Sequence, residues 1–82
     1  MLDYSKLLGK MREKGETIAS LSQKIGISSN SLSNKLHGRS QFVQEEIVAI
    51  CEVLLIENEE IPIYFFAKKL AKSQEREGWS NG

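Results

Sequence analysis

Residues 17–38 read Thr-Ile-Ala-Ser-Leu-Ser-Gln-Lys-Ile-Gly-Ile-Ser-Ser-Asn-Ser-Leu-Ser-Asn-Lys-Leu-His-Gly, and the fold follows from them. Thr17 stands where a helix N-cap belongs, and Ile18, Leu21 and Ile25 then recur at the spacing of one helical face. Gly26 ends that helix. Ser28 caps the next, in which Leu32 and Leu36 share a face, and Gly38 stops it. Two helices joined by so short a connection cross steeply. Such a crossing needs a residue tolerant of positive φ at the turn, which is Gly26, and a small side chain one turn earlier, which is Ser22. Leu21, Ile25, Ile27, Leu32 and Leu36 lock the pair together in a helix-turn-helix arrangement.

The flanking segments have the same period. Tyr4, Leu7, Leu8 and Met11 form one stripe of a first helix, with Asp3 or Ser5 as the acceptor at its start and Gly15 at its end. A fourth helix is predicted from about Gln44 to Leu55, with Ile47, Ile50 or Cys51, and Leu54 inward. Glu45 and Glu46 in its first turn suit the positive end of the helix dipole. Asn58, followed by Glu59 and Glu60, reads as the cap of a fifth helix. Pro62 is tolerated near its start, and the helix is expected to continue through Phe65 and Phe66 to Leu70. Periodicity ends at Ser73, so residues 1–72 are expected to form one domain and residues 73–82 a frayed tail. The predicted architecture is an all-α, compact five-helix domain.

Composition removes several functions. A single Cys excludes an intramolecular disulfide, and one His with one Cys cannot make the usual zinc site, so a reducing, cytoplasmic setting without a metal is expected. The apolar run from Ile47 to Ile56 is broken by Glu52 and falls short of the ~20 residues of a membrane span. The N-terminus has no basic region followed by an apolar run, so no secretory signal is expected. The formal net charge is zero, but residues 1–40 carry +4, residues 41–67 carry six Glu without a Lys or Arg, and residues 68–82 carry +2. That asymmetry suits a polyanion on the first half of the chain.

Residues 17–38, with the stripe before them and the apolar segments after, resemble the lambda-repressor-like helix-turn-helix family of phage repressors and Cro proteins. Gly-Ile-Ser after the second helix, Leu-Ser-Asn-Lys-Leu-His-Gly through the third and Ile-Pro-Ile-Tyr-Phe-Phe in the fifth carry the likeness, which covers roughly residues 3–70. The resemblance implies that the third helix enters the DNA major groove and that Ser28, Ser29, Asn30 and Asn34 reach base edges. The residue types agree: Ser29, Asn30, Ser33 and Asn34 are short and polar, and Asn pairs with adenine through both its oxygen and its nitrogen. The resemblance also places Thr17 at a phosphate, together with His37, Arg39, Ser40 and Gln41 in the turn after the third helix. Lys35 is added to the phosphate set by its charge. Three positions depart from the family pattern. Ile18 replaces a phosphate-touching Gln, Lys35 stands where an apolar residue is usual, and Val43 replaces a Thr or Ser cap.

Half-sites one helical turn apart have centres ~34 Å apart, so a domain of this size reads both only as a dimer. The fifth helix has more apolar surface than one stripe requires, which assigns Ile63, Tyr64, Phe66 and Leu70 to a weak homodimer interface. The expected activity is sequence-specific binding of double-stranded operator DNA by a phage or prophage Cro- or repressor-like transcriptional regulator, acting by promoter occlusion. No cofactor, small-molecule ligand or membrane contact is expected. An enzyme is not expected either, because no Gly-rich phosphate loop is present and Cys51 lies on an apolar stripe. The alternative is a protein-interaction module of antirepressor or antitoxin type, using the acidic 41–67 face or the aromatic fifth helix.

Overall fold

In the computed structural model, which describes residues 2–68, the helices are α1 (Ser5–Glu13), α2 (Ile18–Ile25), α3 (Ser29–Leu36), α4 (Gln44–Leu54) and α5 (Ile61–Phe65). A 3₁₀ turn over Asn58–Glu60 leads directly into α5. The protein is all-α. Among the described residues the one extended pairing is an isolated antiparallel bridge between Leu2 and Lys68. No helix among them is long and apolar enough to cross a membrane.

The local signals act where the sequence put them. The Asp3 carboxylate accepts the Ser5 N–H at 2.9 Å and opens α1. Thr17 accepts the Ser20 N–H at 3.0 Å while the Ser20 hydroxyl accepts the Thr17 N–H at 2.9 Å. Ser20 thus fills the reciprocal role usually taken by Glu or Gln in a capping box. Ser28 caps α3 by accepting the Ser31 N–H at 3.0 Å. Val43 has no oxygen to cap α4. The Glu46 carboxylate instead accepts the Val43 N–H at 3.0 Å, which keeps half of the reciprocal pair.

The core gathers Leu7, Met11, Leu21, Leu32, Leu36, Ile50, Leu54 and Phe65, with both Ile50 and Cys51 buried. Phe42 bridges Tyr4 and Phe65 edge-on, with ring centroids 5.3 Å and 5.5 Å away. These are the edge-to-face pairs that aromatic quadrupoles favour. Leu55, at φ 60°, closes α4 in the left-handed region; this turn leaves its own side chain exposed while Ile56 is buried.

The fifth helix departs from the sequence expectation. It has five residues and ends at Phe66, whose φ of −126° leaves the helical region, instead of running to Leu70. The Asp3 N–H donates to the Ala67 carbonyl at 2.7 Å, and Lys68 pairs with Leu2. The backbone of residues 67–68 is therefore used to tie the two ends of the domain together and is not available to a longer helix. Asn58 is not a side-chain cap: Glu57 precedes the 3₁₀ turn, and its N–H donates to the Glu60 carboxylate at 3.2 Å. Leu70 and the 73–82 tail lie outside the described residues.

Two substitutions test this framework by thermal or denaturant unfolding. Gly26→Ala meets nothing within 4 Å but must hold φ +83°, so it should cost about 1–2 kcal/mol through backbone strain alone. Leu32→Ala, at a fully buried position, should cost roughly 2–5 kcal/mol.

Candidate nucleic-acid interface

The direction of α3 is set at its joint with α2. The Gly26 and Ile27 N–H groups both donate to the Ser22 carbonyl, at 2.9 and 3.0 Å. The Ser22 side chain is buried; its hydroxyl donates to the Ala19 carbonyl at 2.9 Å and lies 3.2 Å from the Ser29 hydroxyl. A larger residue at position 22 would push the helices apart. With Leu32 and Leu36 held in the core, the first turn of α3 stands outward, and Ser28, Ser29 and Asn30 are all exposed. The fifth helix packs on α1 and on the turn before it.

The five residues assigned to base edges differ in what they have left to offer. Asn30 is exposed and makes no side-chain hydrogen bond among the described residues. Ser28 uses an oxygen lone pair on its cap and keeps its hydroxyl proton. Ser29 shares its hydroxyl with Ser22. Ser33 and Asn34 are half-buried, and the Asn34 oxygen accepts from Arg39 Nη1 at 3.1 Å.

The phosphate set divides further. Thr17, His37, Arg39, Ser40 and Gln41 are all exposed. His37 Nδ1 lies 2.7 Å from the Ser33 carbonyl, an acceptor only, so Nδ1 carries the proton. Nε2 of that tautomer is an acceptor.

Lys35 is engaged within the domain. Its side chain is 12% exposed, with Nζ 3.6 Å from Glu46 Oε1 and 3.3 Å from the Gln41 carbonyl. The ammonium joins α3 to α4, an internal duty that competes with a phosphate contact. The signal was in the sequence: a cation at a position usually apolar needs a counter-charge, and Glu46 supplies it while also holding the start of α4.

Glu16 was missed by sequence reasoning. Its carboxylate accepts from Lys24 Nζ and, at 2.6 Å, from the Ser20 hydroxyl. The Lys24 hydrogen bond, then that from Ser20, holds the Glu16 carboxyl below the usual carboxylate range. One of the few cations of the α2–α3 unit is thereby neutralised beside Thr17. Elsewhere, burial pushes the Cys51 thiol up and keeps it protonated. Among the dimer candidates, Ile63 and Phe66 are 47% and 54% exposed, while Tyr64 is half-buried with Lys10 Nζ 5.8 Å from its ring centroid. No group of three or more possible metal-ligating side chains occurs among the described residues.

Lys35→Ala should lower stability by roughly 1–3 kcal/mol, between the limits for surface and buried pairs, and leave the salt dependence of any DNA binding unchanged. Glu16→Gln should lower Tm at neutral pH. A carboxyl whose folded pKa is depressed stabilises above its unfolded value of 4.5 and loses that stabilisation as pH falls through the folded value. The two melting curves should therefore converge in acid.

The family model described as "Protein of unknown function (DUF739)" matches residues 1–68. Among solved structures, the chain is similar to the solution structure of the modulator of repression (MOR) of the temperate bacteriophage TP901-1 from Lactococcus lactis. The two share 36% sequence identity with a TM-score of 0.69, over 85% of this chain and 95% of the other. No curated protein matches the chain. A match that runs from the first residue through the bridge that closes the domain takes in every element described above, and the chain belongs to the DUF739 family.

Proposed function

We propose that this protein is a small phage-type transcriptional regulator that reads duplex DNA through the first turn of α3 and acts by occupying a promoter as a pair of copies. The exposed, polar turn at residues 28–30, rigidly held by the Ser22 joint, is the observation that carries this reading. The similar structure is that of a phage modulator of repression, which supports the regulatory class. Asn30 is the principal base reader in this scheme, with Ser28 and Ser29 beside it and Ser33 and Asn34 one turn further in. Thr17, Arg39, Ser40 and Gln41 face the backbone, joined by His37 when protonated.

Charge sets the strength. Of the cations in residues 17–41, Lys24 and Lys35 are paired internally and Arg39 shares its guanidinium with Asn34. Counterion release by one copy is therefore small, and two copies on one duplex would supply the affinity that one lacks.

A second reading rests on a different surface. Leu2, Tyr4, Gln41, Phe42, Ile47, Phe65 and Phe66 line a cleft of about 260 Å³, and Ile63 and Phe66 are exposed large apolar residues. Such a surface suits a protein partner, and regulation would then act on that partner instead of on DNA.

Selection of bound sequences from a random duplex pool separates the two readings. The DNA reading predicts a recovered consensus whose binding weakens with salt, with a slope set by the few phosphate contacts of two copies. Asn30→Ala should cost about 1–3 kcal/mol on that consensus and little on random duplex. Recovery of no consensus, with no retention of any duplex at low salt, leaves the protein-partner reading.

A further inference from the structure

The end of α3 holds a two-residue arrangement that the simple assignment of Asn34 to adenine does not use. Arg39 is joined to Asn34 twice: its backbone N–H donates to the Asn34 carbonyl at 2.8 Å, and its Nη1 donates to Asn34 Oδ1 at 3.1 Å. The turn that returns Arg39 over the helix end is made at Gly38, in the left-handed region at φ 79°. A guanidinium has donors and no acceptor, so the Asn34 atom facing it is the carbonyl oxygen. The amide is thereby held in one of its two flips, with the nitrogen directed away from Arg39. Asn30, by contrast, has no such partner and can turn either way.

We infer that Arg39 is a positioning residue for Asn34, and that the oriented pair reads a different base from the one a free amide would select. This rests on the DNA reading of α3. With a cation already on one lone pair of the oxygen, the amide nitrogen, directed away from Arg39, is the group most open to a base, and it is a donor. Guanine offers two adjacent acceptors, N7 and O6, to such a donor in the major groove, whereas the two-point adenine contact needs the amide oxygen as well. Adenine offers that donor N7 alone and thymine O4 alone, so the doubly accepting G·C pair is the favoured partner of the Asn34–Arg39 unit, and adenine is the partner of Asn30. A lysine at position 39 would keep the charge but lose the planar fork that fixes the amide.

The test uses the full chain and the duplex recovered from a random pool, with every base pair of the site varied in turn. Asn34→Ala and Arg39→Ala should each relax the preference at the same G·C pair by about tenfold. The double variant should lose no more than the larger single loss, because the two side chains act as one unit. Arg39→Lys, which keeps the charge, should relax that same position by more than it weakens binding to random duplex, which a loss of phosphate contact alone would not do. The inference is overturned if the two alanine variants act at different base pairs, if their losses multiply, or if the Asn34-dependent position is an A·T pair. Each of those outcomes leaves the DNA reading standing. Failure to bind any duplex overturns both.

Discussion

Ser22 and Gly26 decide where α3 points, and the rest of the molecule depends on that choice. The Ser22 carbonyl collects the amides of Gly26 and Ile27, and its buried hydroxyl meets Ser29 across the joint. Gly26 supplies the left-handed turn that lets α3 cross α2. Once the crossing is fixed, Leu32 and Leu36 enter the core, and the opposite side of the same helix cannot avoid solvent. The short polar residues at 28–30 are thus exposed as a consequence of packing. The Asn30 amide and the Ser28 hydroxyl proton are left to bind, while the Ser28 oxygen caps the helix and the Ser29 hydroxyl is shared with Ser22.

Charge is organised just as tightly. Three cations near α3 have internal duties: Lys24 holds Glu16, Lys35 holds Glu46, and Arg39 holds Asn34. Glu46 serves twice, capping α4 and receiving Lys35, so α3 and α4 are joined by one carboxylate. The excess of positive charge in residues 1–40 is therefore smaller at the surface of the α2–α3 unit than a count of residues suggests. A regulator built this way depends on shape and on a few directed contacts more than on a broad basic field.

Much of the fold was legible because its signals are local. The caps at Thr17 and Ser28, the glycine stops at Gly15, Gly26 and Gly38, and the inward stripes all lie within one or two turns of the residues they govern. The differences lie where distant segments compete. The end of α5 could not be read from Phe65-Phe66-Ala67, because it depends on Asp3 and Leu2 taking up the backbone of residues 67–68. The internal partner of Lys35 could not be read either, because it sits eleven residues away on another helix. In the candidate site, the exposure of Ser28, Ser29 and Asn30 followed from periodicity, but the pairing of Asn34 with Arg39 required the turn at Gly38 to be seen in three dimensions.

The central claim is that the outward edge of α3 is the contact surface for a duplex. Backbone amide chemical shifts, followed by nuclear magnetic resonance as a selected duplex is added, test it most directly. The account predicts that movements concentrate on residues 28–34, on Thr17 and on Arg39, with the outer face of α4 unchanged. Movements centred instead on Phe66 and its cleft, with residues 28–34 unmoved, would contradict it.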